Sequence, residues 1–476
     1  MISVADAIER LGALAGTPPV ARLVAAFAEA GHELALVGGP VRDAFLGRPV
    51  SDLDFATDAR PDRILAILKP VSATTWDVGR EFGTIGALVG GLRVEITTYR
   101  ADEYDGVSRR PVVAFGNSLE ADLRRRDFTV NAMALRLPER VLADPHGGLD
   151  DLLARRLDTP TEPEVSFGDD PLRMLRAARF AAQLGFEVSG RVRGAMAAMG
   201  DSLRIVSAER IADELAKLLR AEDPVPGIRL LVDTGLAELV IPEVPALRLE
   251  ADEHAHHKDV YEHTLTVLRQ AIELERSRQL PGAPDLVLRL AALLHDIGKP
   301  ATKRVEGRTV SFHHHDVVGA KLARRRLKEL RFDNDTVESV ARLVELHLRF
   351  FGYSDAQWTD SAVRRYVRDA GAELERLHIL TRADVTTRNR RKAERLEFAY
   401  DDLERRIAQL REQEELDAVR PDLDGNDIMR ILGLSPGPEV GAAYRFLLEL
   451  RLDEGPLGPG EAERRLREWW ATRSSA

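Results

Sequence analysis

Between residues 34 and 55 the chain reads LALVGGPVRDAFLGRPVSDLDF. An apolar run leads into Gly38-Gly39, where backbone amides are free to approach a phosphate closely. Arg42 follows, with a planar set of donors suited to phosphate oxygens, and Asp43 helps to shape the same pocket. Asp52 and Asp54 stand at i, i+2 on an expected strand. They point to one face, so both can hold one divalent ion. Phosphates on one side and carboxylates on the other fit nucleotidyl transfer by paired Mg²⁺ ions, one activating a hydroxyl and one steadying the leaving pyrophosphate. A third acid on a neighbouring strand would complete the set. Glu95 in LRVEITTYR fits by period-2 counting, the alternative being a strand glutamate that faces solvent. The bland reading of the whole stretch is a strand–turn–helix followed by two solvated aspartates.

A second cluster reads LRRRDFTVNAMAL, with Arg125, Arg126 and Asp127 ahead of an expected strand carrying Asn131. A triphosphate offers oxygens to the arginines, and a ribose offers hydroxyls to the carboxylate. A third runs from Asp169 to Phe180, DDPLRMLRAARF. Asp170 and Arg173, three apart, are neighbours on a helix face. A carboxylate accepts from the exocyclic amine of C or A, and a guanidinium donates to the ring nitrogen. Uracil and guanine would leave both groups unmatched, at ~1–3 kcal/mol each. Arg176 and Arg179 read either as substrate contacts or as support. Ser207 is an expected helix N-cap, with Glu209 and Arg210 behind it buttressing the base-reading helix.

In this order the three clusters resemble the head and neck of the polymerase-β-like nucleotidyltransferases. The likeness is to the bacterial branch that adds CCA to tRNA 3′ ends or builds poly(A) tails. The family's RRDFTINAMA and EDxxRxxRxxRF patterns are matched closely, Asp169 standing where the family has Glu. The resemblance implies Asp52, Asp54 and Glu95 as the catalytic metal set. It implies Gly38, Gly39, Arg42, Asp43, Arg125, Arg126, Asp127, Asn131, Asp170, Arg173, Arg176 and Arg179 as the nucleotide site.

Nearly all the histidines fall between residues 254 and 378. His295-Asp296 ends an apolar helix before Gly298, with His263 upstream and Asp384 downstream. Two imidazoles and two carboxylates suit a divalent transition metal, and Mg²⁺ less well. The pattern resembles the HD phosphohydrolase superfamily, in which a metal activates water against a phosphoester. Lys299 is placed to hold phosphate. His314, His315 and His347 read as solvated or capping histidines rather than as ligands to a second metal.

These groups must be positioned by elements that the chain of 476 residues is long enough to bury. Helical spacing covers residues 1–30, and strand-like runs alternate with short helices to about Leu137. Helices dominate after Asp150. The fold class expected is α+β, a polymerase-β-like α/β head followed by an all-α neck, an HD domain and a helical tail. The divisions expected are 1–157 for the head, 158–250 for the neck, 251–390 for the HD domain and 391–476 for the tRNA-binding tail. A loop between head motifs is expected near Asp102–Pro111. The charged helix that opens the tail shows no sustained apolar heptad and reads as solvent-edged.

Charged residues make up 31% of the chain and the net charge is −10, yet arginines cluster at 124–126, 173–179, 324–326 and 388–391. Local clusters on an acidic protein can still bind a polyanion. The chain has no cysteine, so disulfides and thiolate metal sites are excluded. No apolar run approaches the ~20 residues of a membrane helix. A cytoplasmic enzyme without a membrane partner is expected. The expected activity is CCA addition to tRNA from CTP and ATP with Mg²⁺, plus a divalent metal in the HD domain and an accompanying hydrolase activity. Poly(A) polymerase and partial CC- or A-adding activity are the alternatives within the class. A hydrolase with a non-catalytic nucleotide-binding head is the alternative outside it.

Overall fold

A computed structural model describes residues 3–50, 53–101, 114–248, 259–306, 309–350, 352–353, 358–386, 389–414 and 420–474. Asp52 and the expected loop at Asp102–Pro111 lie outside the described residues. By packing, the chain forms two compact units, Met1–Leu218 with Pro226–Leu239, and Leu219–Val225 with Val240–Ala476.

The first unit is built on a sheet of β1 (Leu34–Val37), β2 (Leu53–Thr57), β3 (Thr74–Trp76), β4 (Thr84–Val89), β5 (Leu92–Thr98), β8 (Ala134–Leu137) and β9 (Val141–Ala143). Between them, β6 (Arg100–Ala101) and β7 (Ala114–Phe115) form a separate antiparallel pair. The strand order is β3-β4-β5-β2-β1-β8-β9. Only β2 and β5 run parallel. Leu36, Phe55, Ile96 and Ile85 form a row across four strands, all at most 2% exposed. The helices Pro18–Glu29 and Pro61–Leu68 bring Leu23, Phe27, Ile64 and Leu68 to the same core, each fully buried. Because side chains alternate, the next row, Asp54–Glu95–Gly86–Trp76, faces the other way. The period-2 placement of Glu95 beside Asp54 therefore holds. The expected strand around Asn131 begins later, at Ala134, because Thr129–Asn131 forms a 3₁₀ turn. After the sheet come the helices Pro163–Asp169, Leu172–Leu184, Gly190–Met199 and Ala208–Leu219.

The second unit is helical around the helices Val260–Ser277, Leu286–Leu294, His315–Glu329, Asn334–Leu346 and Leu374–Ala383. Arg289 is pinned inside it by Glu275 at 2.8 Å and by the carbonyls of Leu219 and Ala221 at 2.7 Å. The helix Arg390–Glu414 corrects one expectation. Leu396, Tyr400, Leu403, Ile407 and Leu410 recur at alternating four- and three-residue steps and are buried, so an apolar stripe is present. It packs inside the unit, where Tyr400 stacks on Phe350 at 3.5 Å between ring centroids. The charges take the opposite, wet face. The helices Gly425–Leu432, Pro438–Glu454 and Pro459–Ser474 close a small core through Ile428, Ala443, Leu447 and Leu466. Among the described residues no single helix is long and apolar enough to cross a membrane.

Candidate functional sites

A cavity of about 350 Å³ in the first unit is lined by Thr97, Arg100, Asp122, Arg125, Arg126, Asp127, Asp170, Leu172, Arg173, Arg176 and Arg210. Six arginines against three aspartates make it formally cationic. The Nε atoms of Arg100 and Arg126 are buried and make no hydrogen bond, so donors are left for an anionic ligand. Arg125, Arg126, Asp127, Asp170, Arg173 and Arg176, predicted from two separate motifs, thus come together on one cavity wall.

A ladder of polar contacts holds that wall. Asp43 accepts from Arg42 Nε at 2.9 Å, and Arg42 Nη1 donates to Asn131 at 2.6 Å. Asn131 donates to Asp127 at 3.0 Å, and Arg176 Nε donates to the other oxygen of Asp127 at 2.8 Å. Glu214, almost wholly buried, then takes Arg179 Nε at 2.6 Å and stands 3.7 Å from Arg176. Two expectations change here. Arg42 is buried and committed to Asp43 and Asn131, so it acts on the site through Asn131. Arg179 lies off the cavity, held by Glu214 and Gln183 over the Phe180 ring, so it is support. Gly38 also differs from expectation, since its N–H is donated to the Met133 carbonyl. Its glycine identity has another cause. Its φ is +73°, and a Cβ there would stand 2.8 Å from Arg126 Nη1. Gly39 opens the helix Gly39–Leu46.

Asp127 illustrates the electrostatics. Burial alone would raise its pKa, but Arg176, the Asn131 hydrogen bond and Arg173 override it and hold the carboxyl down to about 2. A depressed carboxylate stabilises the fold above its unfolded value of about 3.9, and that contribution is lost as pH falls through about 2. The shift corresponds to about 2 kcal/mol. Asp127→Asn is therefore expected to be less stable than wild type by about that amount at pH 7, the gap closing towards pH 2. Urea unfolding across that range checks it, and a gap that does not vary with pH would contradict the assignment.

Asp170 and Arg173, the expected base-reading pair, are held from several sides. Arg173 Nη1 donates to Ser166 Oγ at 2.9 Å and Nη2 to the Arg125 carbonyl at 2.6 Å. Asp170 accepts from Leu172 N–H at 3.1 Å and from Arg210 Nη2 at 2.8 Å. Ser207 Oγ accepts from the Arg210 amide, which is the expected N-cap contact. The buttress is thus a named ion pair, Arg210–Asp170, forty residues apart in sequence. On the neighbouring sheet face Asp54 and Glu95 are side by side in register, and Glu95 stands 3.5 Å from Arg93.

The second unit carries the histidine cluster. His263, His295 and Asp384 form one group of possible metal donors, and Asp296, His315 and His347 a second. His263 Nε2 is 2.9 Å from Asp384, and His295 Nε2 is 3.2 Å from Asp296. His315 Nε2 is 3.3 Å from the other oxygen of Asp296, and Lys299 Nζ is 2.6 Å from the first. The reading of His315 and His347 as solvated or capping is corrected, since both are buried and face the cluster. His314, by contrast, is exposed at a helix start, outside both groups. His295, His315 and His347 each set Nδ1 against a carbonyl three residues back, at 2.6–2.9 Å. That fixes the tautomer and leaves Nε2 as the ligand atom. All three Nε2 atoms are buried without a hydrogen bond. Burial would depress His295, but Asp296 and Asp384 hold it protonated up to about 10, so the pocket favours positive charge. Burial and the nearby His295 push His347 down to about 4, into the neutral form a ligand needs. The donor set fits a divalent metal, which would supply an activated water.

Comparison with known proteins agrees with this division. Residues 34–158 match the poly A polymerase head domain, 185–247 the probable RNA and SrmB-binding site of polymerase A, and 260–389 the HD domain. The A-adding tRNA nucleotidyltransferase of Deinococcus radiodurans is 37% identical over 92% of this chain and 95% of its own length. The CC-adding tRNA nucleotidyltransferase of Thermus thermophilus is 33% identical over 91% and 93%. The CCA-adding enzyme of Bacillus pumilus is 40% identical over 46% of this chain, about half (53%) of its own length. Among solved structures, the Bacillus stearothermophilus CCA-adding enzyme in complex with CTP aligns with a TM-score of 0.66 and 24% identity, over 96% of this chain and 99% of that one. With relatives 37% and 33% identical over more than nine tenths of this chain and of their own length, and with the head and HD models matched in that order, the chain belongs to the tRNA nucleotidyltransferase and poly(A) polymerase family.

Proposed function

We propose that this chain extends tRNA 3′ ends with C, C and A, taking CTP and ATP and releasing pyrophosphate. The observation that carries the reading is the cationic cavity in which Asp170 and Arg173 share a wall with Arg125, Arg126 and Asp127. It combines donors for a triphosphate with an acceptor–donor pair matched to cytosine and adenine. Asp54 and Glu95, on the adjoining sheet face, would hold Mg²⁺ together with Asp52, hard oxygen ligands suiting that ion. The division into head, neck, HD domain and tail at 157, 250 and 390 goes with this reading, as does a cytoplasmic location. The test is incorporation of labelled CTP and ATP, separately and together, into tRNA transcripts lacking CCA, CA or A. Addition of C, C and A that stops after three nucleotides is expected. Long A tails without C would overturn it.

One observation favours a second reading. Two relatives aligned over more than nine tenths of the chain are named A-adding and CC-adding, whereas the Bacillus pumilus CCA-adding enzyme aligns over 46% of the chain. An A-adding enzyme would extend only the transcript lacking A and ignore CTP, whereas a CC-adding enzyme would extend the transcripts lacking CCA and CA as far as CC and ignore ATP.

Base choice gives a sharper test. Arg173→Ala is expected to reduce the preference for C over U and for A over G by about 10- to 100-fold, since one of two matched polar groups is lost. Ratios of kcat/KM for the four nucleotides measure it. Unchanged ratios in the variant would end the idea that the protein itself selects the base.

The buried donor set in the second unit supports a divalent metal and a phosphoester hydrolase activity. Substrates of the right chemistry are 2′,3′-cyclic phosphates and phosphomonoesters at damaged RNA ends.

A further inference from the structure

Trp76 and Arg93 lie outside the nucleotide cavity, yet they share the catalytic face of the sheet. Trp76, Gly86, Glu95 and Asp54 form one in-register row across β3, β4, β5 and β2. With strands about 4.8 Å apart, Trp76 stands about 10 Å from Glu95. The indole lies directly on Gly86, where a Cβ would fall 2.0 Å from ring atoms Cε2 and Nε1. The glycine therefore lets the ring settle onto the sheet. The Arg93 guanidinium lies over the indole, 5.1 Å from the ring centroid, and its Nη2 is 3.5 Å from Glu95. Arg93 is 66% exposed. The result is an indole carrying a planar cation open to solvent, immediately beside the proposed third carboxylate.

The strand order says which side of the reaction this ledge serves. Gly38-Gly39 and the helix that would face the triphosphate follow β1, on one side of β2. Trp76 and Arg93 lie on the other side, in the order β1-β2-β5-β4-β3. In an in-line displacement the attacking oxygen and the leaving pyrophosphate sit on opposite sides of the phosphorus. With a triphosphate on the β1 side, the attacking hydroxyl would approach from the β5-β4-β3 side. Unpaired RNA bases stack on aromatic rings and on arginine planes, and such stacking tolerates any base. An acceptor that ends first in one base and then in another needs a contact of that kind.

We propose that Arg93 and Trp76 form the platform on which the 3′-terminal base of the single-stranded acceptor end stacks, placing its hydroxyl at Glu95 and Asp54. This rests on the reading of the chain as a tRNA-extending enzyme. Trp76→Ala, Trp76→Phe and Arg93→Ala test it, with tRNA transcript lacking CCA as the probe. Two readouts are taken, steady-state KM values for transcript and for CTP, and the Kd of fluorescein-labelled transcript by anisotropy without nucleotide. In Trp76→Ala the KM and Kd for transcript rise about tenfold, the KM for CTP is unchanged, and Trp76→Phe restores most of the loss. A folded Trp76→Ala protein with unchanged transcript KM and Kd would overturn the platform. So would a loss shared equally by transcript and CTP, which marks a sheet edge that merely supports the fold. If Trp76→Ala fails to fold, the exposed Arg93→Ala carries the same readouts. If wild type binds transcript but adds nothing to it, the enzymatic reading fails, and the Kd comparison still decides the platform.

Discussion

Asp54→Ala is expected to lower nucleotide incorporation about 10³- to 10⁴-fold, which is about 4–5 kcal/mol of transition-state stabilisation. The size follows from what the carboxylate is placed to do. Asp54 lies in register with Glu95 on the only parallel pair in the main sheet, on the face away from the apolar row of Leu36, Phe55, Ile96 and Ile85. Two carboxylates on adjacent strands face the same side, so a cation between them loses half of its described anionic ligands when Asp54 goes. Positioning by the arginine cavity would survive, because none of its lining residues is Asp54. The variant should therefore still bind CTP while failing to transfer it. Single-turnover incorporation, CTP affinity by equilibrium dialysis and a thermal melt distinguish the cases. A folded Asp54→Ala protein that incorporates within about tenfold of wild type would remove Asp54 from the chemistry.

The sequence made this face legible because strand alternation is a local signal. The runs around Asp54 and Glu95 each carry a side-chain period of two, and counting along each strand places both residues correctly. The strands β3 and β9 escaped notice for the opposite reason. Each has three residues, none of them buried, and TTW and VLA show no apolar alternation to count. Trp76 thus carried no signal as a sheet residue. The motifs named the cavity residues well, but not their division of labour. Arg42 and Arg179 look as suited to phosphate as Arg126 does, and only contacts 89 and 35 residues away, to Asn131 and Glu214, commit them elsewhere. Such pairings depend on tertiary packing, which no spacing rule encodes.

The histidine cluster shows the same limit. His295-Asp296 stood out as a polar pair in an apolar helix, whereas His315 sat in a run of three histidines and His347 stood alone. A usable hint was present at Gly298. A Cβ there would fall 2.0 Å from the His315 carbonyl, so the glycine after His295-Asp296 is the residue that lets the His315 helix start against it. Reading that glycine as a close approach, rather than as a helix end, would have drawn attention to His315.

Asp296→Ala carries the second large expectation, a fall in divalent-metal affinity of about 10³-fold, beyond the 10- to 100-fold typical of losing an outer-shell partner. Asp296 belongs to the second donor group and also contacts both histidines of the first. One oxygen stands 3.2 Å from His295 and 3.6 Å from His263, and the other 3.3 Å from His315. Its carboxyl is held well below the usual range, against the effect of burial, by His295, His315 and Lys299. Removing it leaves Asp384 as the one carboxylate in the two groups, facing four imidazoles. A cation would then meet donors with half the negative charge. His347→Ala makes the informative comparison, because it removes a neutral donor from one group and leaves both carboxylates in place. Calorimetric titration with Mn²⁺ or Zn²⁺ is expected to show the larger loss in Asp296→Ala, while CTP incorporation stays at the wild-type rate in both variants. Equal and unaltered metal affinity in the two would make the cluster a buried ionic network. In that case the protonated His295, not a metal, is what the carboxylates were arranged to hold.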